Sequence, residues 1–181
     1  FPETGEQTLN MLHLRQGRLL ASDRPSEVLA SEAFAQANEF EPGSTFDAII
    51  NGHKRTLTIV GVVLSPEYVY ALGPGALVPD DKRFGAIWMG EEALEAAFDL
   101  GGSFTEATVT LERGSSEADI ITAIDRLTEP YGGIRAYGRK DHLSNWFVTN
   151  EINQLRSMSS FVPPVFLGIA AFLLHIVVSR L

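Results

Sequence analysis

Two pairs of adjacent carboxylates are the side chains of this sequence that come closest to acid–base or cation-binding chemistry. Asp80 and Asp81 could bind a cation together with loop carbonyls, but calcium takes about six or more oxygen ligands and few others lie nearby. Glu91 and Glu92 begin a predicted helix, and adjacent residues of a helix do not face each other. The first pair is therefore interpreted as an acidic loop tip and the second as compensation of the helix dipole.

Histidine, serine and cysteine provide no better candidate for catalysis or metal binding. The four histidines are scattered along the chain and form no metal-binding pair. Ser65 and Ser103 have no general base beside them, and the absence of cysteine excludes disulfides, thiol nucleophiles and thiolate-bound metals. No glycine-rich phosphate loop occurs. We therefore predict no catalytic, cofactor-binding or metal-binding residues, and a protein that is not an enzyme.

The residues best suited to touch a partner lie in a long loop, SPEYVYALGPGALVPDDKR, at 65–83. Tyr68 and Tyr70 are followed by Gly73 and Gly75 in a Gly-Pro-Gly segment, which places two aromatic rings on a stiff connector. Exposed aromatic rings on such a loop suit contact with protein or lipid. The alternative, left open by the sequence, is that both rings pack on a sheet and hold the loop in place.

Strands and helices must position this loop, and the clearest of them is a hairpin at 44–64. Asn51 and Gly52 favour the positive φ angles of a two-residue type I′ turn. Apolar residues alternate on both flanks. They are Phe46, Ala48 and Ile50 before the turn, and Leu57, Ile59 and Gly61 after it, with the second strand continuing to Leu64.

Other elements flank the hairpin and the loop. Before the hairpin, a strand is expected within 9–18, a short strand at 27–30, and a helix capped by Ser31. After the loop, strands at 84–89, 104–112 and 134–137 alternate with helices at 90–100 and 115–133. The last helix has Ser116 as its N-cap and a stripe of Ile120, Ile121, Ile124 and Leu127. This β-α-β-α-β order is typical of a small α/β or split-βαβ layer, and we predict an α+β fold for the chain as a whole.

The chain ends in an apolar run from Phe161 to Val178, in which His175 is the one ionisable residue. A membrane span needs about 20 mostly apolar residues. About a dozen Phe, Leu, Ile and Val side chains contribute on the order of −5 kcal/mol to insertion. Pro163 and Pro164 lie at the polar edge of the run, where a membrane helix tolerates a kink. We predict a transmembrane helix; the alternative is a buried C-terminal helix.

An apolar seam, spaced alternately by four and three residues, continues this run towards the N-terminus. Its members are Val148, Ile152, Leu155, Ser159, Val162, Phe166, Ile169, Leu173 and Ile176. No helix breaker separates Asp141, the expected N-cap, from Pro163. The pattern predicts one helix of about 35–40 residues, roughly 55 Å long, that begins in a soluble domain and enters the bilayer without a flexible joint.

The charges of the chain limit which partners it is expected to bind and on which side of a membrane it is expected to lie. The formal net charge is −9 and no basic run occurs, which argues against nucleic acid or anionic lipid as a partner. Arg180 follows the apolar run, as expected where a span leaves a membrane on its cytoplasmic side. The acidic bulk would then lie outside the cell membrane. Because Phe1 is not a start methionine, the chain is expected to be a piece of a longer protein.

Two stretches of the sequence resemble the FtsX-like ABC transporter permeases. They are EVLASEAFAQANEFEPGSTFDAIINGHKRTLTIVGVVLSPEYVYALGPGALVPDDKRFGAIWM and PPVFLGIAAFLLHIVVSRL, of which SPEYVYALGPGALVPDD followed by FGAIWM is the most specific part. The outer domain of these permeases is similar to the periplasmic core domain of MacB-type exporters. The resemblance covers nearly all of the chain from about Leu9 onwards.

The resemblance implies a two-lobed extracytoplasmic domain followed by a long helix entering the membrane. Its parts would be a β-rich inserted lobe at 1–80, a ferredoxin-like βαβαβ lobe at 81–140, a stalk helix at 141–160 and a transmembrane helix at 161–181. A first membrane helix and a first βαβ part would precede Phe1. The implied site is the bacterial inner membrane, with residues 1–160 outside the cytoplasm.

The partners implied by this resemblance are a cytoplasmic ABC ATPase subunit or domain, the lipid bilayer and a second permease subunit. The subunit would pass ATP-driven motion of membrane helices to an outer domain that contacts substrate or partner, in export or in lipoprotein or lipid release. Small residues in the span, Gly168, Ala170 and Ala171, would allow close helix contact in a dimer. Two alternatives stay open: a membrane-anchored binding domain without transport, and a soluble enzyme whose last helix is buried.

Overall fold

The computed structural model describes residues 8–180 and has a mixed α/β fold with a sheet and a long, apolar C-terminal helix. The chain divides into two units, one ending at Gly138 and one beginning at Arg139. The helices are α1 (Glu32–Ala37), α2 (Glu91–Phe98), α3 (Glu117–Thr128) and α4 (Leu143–Val178), with short 3₁₀ turns at Glu129–Tyr131 and Arg139–Asp141.

The first unit is built on a five-stranded sheet whose longest strand pairs on both of its edges. Its strands are β1 (His13–Gly17), β2 (Glu27–Ser31), β3 (Thr45–Ile50), β4 (His53–Leu64) and β5 (Ile87–Met89). One edge of β4 pairs with β2 in parallel. The opposite edge pairs antiparallel with β3 over its first half and with β1 over its last residues. Strand β5 closes the far side of β2, antiparallel to it.

The hairpin of β3 and β4 confirms the prediction made from Asn51 and Gly52. Their φ angles are 48° and 77°, as a two-residue turn with positive φ requires. Across the hairpin, the Asp47 carboxylate accepts a hydrogen bond of 2.7 Å from the Thr56 hydroxyl and pairs with the Lys54 ammonium at 2.8 Å. The strand after the turn continues to Leu64, as expected.

The hydrophobic core lies around β2 and the second half of β4. Val28, Leu29 and Ala30 are completely buried, so β2 is covered on both of its faces, which is usual for a strand with a parallel neighbour. The alternation predicted for the hairpin places Leu57 and Ile59 in this core. Three aromatic rings, Phe34, Phe40 and Phe46, pack against it, with Phe40 centred 5.8 Å from each of the other two.

Two predicted strands are absent from the described chain. Residues 104–112 and 134–137 form no strand, and helix α3 between them buries none of its residues, although Ser116 caps it as expected by accepting from the Asp119 amide. A strand needs a neighbour that supplies backbone hydrogen bonds, and an alternating sequence does not provide one. The expected β-α-β-α-β order is therefore wrong after α2.

Two predicted helix caps also differ from the structure. The Ser31 hydroxyl makes no cap bond to α1 and instead accepts from the amide of Ala86, 3.3 Å away, which ties α1 to the segment entering β5. Asp141 lies in a 3₁₀ turn, and His142 takes the N-cap position of α4. The sequence pattern located the start of each helix to within a residue or two but not its hydrogen bonds.

Helix α4 is continuous over 36 residues and matches the predicted length. Pro163 and Pro164 lie inside it without ending it. Just before them, the hydroxyls of Ser159 and Ser160 donate hydrogen bonds to the Arg156 carbonyl at 2.8 and 3.0 Å. The helix therefore joins a polar N-terminal half to an apolar C-terminal half with no break between them.

Candidate functional site

The loop between Leu64 and β5 holds its first tyrosine against the sheet. The Tyr68 ring meets the Trp88 ring of β5 edge-on, with centroids 5.8 Å apart, and is 43% exposed. Tyr70 is half-buried. Sequence reasoning assigned these two rings either to a partner or to the sheet, and the structure places Tyr68 between the two, packed on one side and open on the other.

The most exposed apolar residues of this loop are aliphatic, and sequence reasoning missed them. Leu77 is 91% exposed, Val78 69% and Val69 63%. All three are flanked by the glycines, prolines and tyrosines that drew attention to the loop, and a pattern search for aromatic rings passes over them. Exposed aliphatic and aromatic side chains on one connector are the kind of surface that partners bind.

The two glycines of the loop have different roles. Gly75 has a φ of 76° and open space where a side chain would lie, so its requirement is conformational. Gly73 would place a Cβ 3.4 Å from the Phe84 side chain, an ordinary contact distance. Its carbonyl accepts from the Ala76 amide at 3.0 Å and closes a turn. The Gly-Pro-Gly segment is therefore a defined turn.

Asp80 stabilises the end of the loop through its neighbours in the chain. Its carbonyl accepts from the amides of Arg83 and Phe84 at 3.0 and 2.9 Å. Its carboxylate accepts from the Arg83 amide at 3.3 Å and lies 3.7 Å from the Arg83 guanidinium. These contacts occupy the carboxylate, and no group of acidic or histidine side chains suited to a metal ion occurs among residues 8–180.

A cluster of phenols and carboxylates adjoins the loop and joins distant parts of the first unit. The pKa of Tyr68 is raised first by burial and then by the charges of Glu106 and Glu67, and the pKa of Tyr137 is raised in the same way. The amide of Asn10 donates to the Glu67 carboxylate. A raised pKa keeps both phenols protonated at neutral pH, so they can donate hydrogen bonds and are not activated as nucleophiles.

Among residues 8–138 of the first unit, one carboxylate is buried, at the start of β2. Glu27 is 6% exposed, and its Oε1 accepts from the guanidinium groups of Arg18 at 2.5 Å and of Arg24 at 3.2 Å. The hydrogen bond from Arg18, followed in weight by that from Arg24, lowers the pKa of Glu27 despite the opposing effect of burial. A carboxylate with a lowered pKa and two arginine partners is a structural ion cluster, since it is a weak base at neutral pH.

A shallow cavity of about 320 Å³ near this cluster is lined by Pro25, Ser26, Arg55, Thr56 and Leu57. Its one ionisable side chain is the guanidinium of Arg55, and guanidinium groups do not serve as proton donors or acceptors in acid–base catalysis. Acid–base catalysis needs a group that can exchange a proton near the working pH. The lining of this cavity does not supply one.

The seam of α4 is open to its surroundings. Its exposed members include Leu155 at 63%, Phe166 at 68% and Leu173 at 56%, while Val148 at its N-terminal end is partly buried. Helix α4 is the one helix of residues 8–180 that is long and apolar enough to cross a membrane, with a mean hydropathy of 2.4 over 18 residues. None of those residues is buried, which does not fit a core helix of a soluble protein.

Searches for related proteins give no result for this chain: no family model, no curated protein and no solved structure matches it. Three features of the described residues therefore bear on the function. They are the exposed loop, the protonated phenols beside it, and the apolar helix α4.

Proposed function

We propose that this chain is the outer domain and following transmembrane helix of an ABC transporter permease subunit. In this proposal it passes ATP-driven motion of membrane helices to an outer domain that contacts substrate or partner, in export or in lipoprotein or lipid release. The observation that carries the proposal is the continuity of α4, whose 36 residues run from a polar half into an apolar half. A helix of that length is about 54 Å long, enough to cross a bilayer and extend beyond it.

The continuity of α4 matters because a lever must be stiff where it leaves the membrane. A glycine-rich or proline-rich joint at that point would absorb motion instead of transmitting it. The last turns before the apolar half, from Glu151 to Ser160, contain no glycine and no proline, and α4 continues without ending through Pro163 and Pro164 at the polar edge of that half. Motion at the membrane end of α4 would therefore reach its outer end.

The remaining parts of the proposal follow from the sequence resemblance. The subunit would lie in the bacterial inner membrane with residues 1–160 outside the cytoplasm, divided into the two lobes at 1–80 and 81–140. The ATPase would be a separate cytoplasmic subunit or domain, and the chain itself would not be an enzyme. A second permease subunit would complete the transporter.

A proline in the outer half of α4 tests the lever. Leu155→Pro removes one backbone hydrogen bond and clashes with the preceding turn, at about 3 kcal/mol, whereas Leu155→Ala keeps the helix. A spin label on Leu77→Cys, which is 91% exposed, reports motion of the outer unit when ATP is added to the membrane-embedded transporter. We expect the proline variant to lose the ATP-dependent signal and the alanine variant to keep it.

If the Leu155→Pro variant keeps the same ATP-dependent signal as the Leu155→Ala variant, α4 does not act as a rigid lever. A transporter role itself fails if no ABC ATPase copurifies with the full-length protein from its native membrane. Crosslinking before solubilisation captures a weakly held ATPase, so its absence would be informative.

A second candidate is a binding domain held at the membrane surface by α4. It is favoured by the exposed aliphatic residues of the loop, Val69, Leu77 and Val78, which need no transporter to act. Under this alternative, Leu77→Asp abolishes partner binding while removal of any ATPase leaves binding unchanged. Dependence of binding on the ATPase favours the permease.

A further inference from the structure

Two charged residues flank the seam of α4 at a spacing that does not allow them to pair with each other along the same helix. Glu151 and Arg156 are the only Asp, Glu, Lys or Arg residues between Leu143 and Val178. They are five positions apart, whereas side chains pair along one helix at spacings of three and four. The structure accordingly shows no ion pair between them, and both residues are exposed, so each charge is available to a group on another helix.

The heptad assignment of the seam shows which partner fits. With Ile152 at position a and Leu155 at position d, Glu151 takes position g and Arg156 position e of the next heptad. In a parallel, in-register pair of helices, a g residue of one helix faces the e residue five positions later on the other. Glu151 of one copy would therefore meet Arg156 of a second copy, and two-fold symmetry makes the contact twice.

The apolar half of α4 fixes the direction and the register that this pairing needs. Two copies inserted in one membrane run the same way, and their apolar residues from 161 to 178 lie at the same depth. Pro163 and Pro164 take positions e and f and leave α4 continuous, so neither proline occupies an a or d position of the seam. The seam can therefore continue from the stalk into the span.

We infer that two copies of this chain pair through α4 as a parallel, in-register coiled coil, with Ile152 and Leu155 in its outer core and Glu151–Arg156 pairs on both sides. This inference rests on the membrane anchoring contained in the proposed function and not on the transporter role. It adds to that proposal the surface and the charges through which a second copy is recognised.

A charge exchange tests the recognition directly. Glu151→Arg places arginine opposite Arg156 of the other copy, and Arg156→Glu places glutamate opposite Glu151. Each single variant of the full chain, followed by energy transfer between labelled copies in phosphatidylcholine vesicles, should dimerise about tenfold more weakly. Mixing the two variants in equal amounts should restore pairing between unlike copies, because both cross-helix pairs are then opposite in charge again.

The outcomes separate the alternatives. Unchanged dimerisation of both single variants overturns the inference, as does failure of the mixture to recover. In an antiparallel arrangement, Glu151 of one copy would face Glu151 of the other copy, so the single variants would not weaken dimerisation. The difference between the variants and the natural sequence should also shrink at about 1 M salt, since exposed ion pairs are screened there.

Single cysteines give a second measurement that does not depend on charge. Because the chain has no cysteine, each introduced thiol is the only one present. Under mild oxidation in vesicles, Ile152→Cys and Leu155→Cys should form disulfide-linked dimers, whereas Asn150→Cys and Ser157→Cys on the outer face should not, since their separation exceeds disulfide reach. Equal yields at the seam and outer positions overturn the inference. A seam-specific result without any ATPase partner would leave this inference standing while the transporter proposal fails.

Discussion

Gly61 lies at the point of β4 where two neighbouring strands approach it from opposite edges. It is paired with Gly17 of β1 and with Leu29 of β2. A Cβ at this position would overlap the carbonyl oxygen of Arg18 and press on the Leu29 side chain. We expect Gly61→Ala to lower the free energy of unfolding by about 1–3 kcal/mol, because a backbone carbonyl cannot move aside without loss of strand pairing.

The measurement is urea unfolding of the full chain in detergent, followed by near-ultraviolet circular dichroism. Gly101→Ala is the matched control, since a side chain there meets nothing within 4 Å and φ is not positive. The control should change the unfolding free energy by about 0.5 kcal/mol or less. Equal stability of the two variants would show that the strands around Gly61 have more room than the structure gives them.

The buried carboxylate of Glu27 makes the stability of the first unit sensitive to acid. Arg18, and then Arg24, lower its pKa below the ordinary value of 4.5. A carboxylate whose pKa is lowered on folding stabilises fully above its unfolded pKa, and this contribution is lost as pH falls towards the folded pKa. Thermal melting between pH 7 and pH 3 should therefore show a loss of stability on acidification.

Variants of the arginine partners identify the source of that loss. Arg18→Gln should flatten the acid dependence more than Arg24→Gln, because the Arg18 hydrogen bond is the larger cause of the shift. Glu27→Gln should remove the contribution of this carboxylate altogether. If the slope between pH 5 and pH 3 is the same in all of these proteins, the acid sensitivity arises elsewhere.

Among the secondary-structure elements, the features predicted correctly from the sequence are those that depend on residues close together in the chain. Asn51 and Gly52 determine their own turn, and the alternation beside them assigns Leu57 and Ile59 to the core. The length of α4 was also predicted, because one face of a helix repeats over many turns. These features depend on residues that are neighbours in the chain.

Features that depend on distant residues were not predictable in the same way. Residues 104–112 alternate like a strand, yet whether they form one depends on a neighbouring strand that alternation does not specify. The convergence of Glu67, Glu106 and Tyr137 on the loop joins three separate segments, and no local pattern marks it. Serine is a residue type that commonly caps helices, but the Ser31 hydroxyl accepts a hydrogen bond from the amide of Ala86, which is distant in the chain.

From the position of the core in the sheet, we expect the part of the chain that precedes the apolar half of α4 to fold without that half. The buried cluster runs from Val28 to Ala93, and none of the apolar residues of the span is buried. A protein ending at Met158 should therefore stay monodisperse without detergent and melt cooperatively by circular dichroism. Non-cooperative melting of this shortened protein would mean that the span stabilises the sheet.

At the scale of the whole molecule, an acidic folded part and an exposed apolar helix belong to one chain. The net charge is −9 over 181 residues, while the 18 residues of the apolar run, 161–178, hold one histidine as their only ionisable group. Such a helix left in water would expose a long stripe of Phe, Leu, Ile and Val side chains and favour aggregation. A bilayer removes that surface from water, and the permease and anchored-domain proposals both require it.

The most direct test is the accessibility of single cysteines along α4 in sealed vesicles, which the cysteine-free sequence makes unambiguous. Asn150→Cys and Ser157→Cys should react rapidly with a membrane-impermeant maleimide. Phe166→Cys, Ile169→Cys and Leu173→Cys should react only after denaturation, because hydrocarbon shields them. Labelling of these three positions at the rate of Asn150→Cys, without denaturant, would contradict residence of α4 in the membrane and with it the account of this protein.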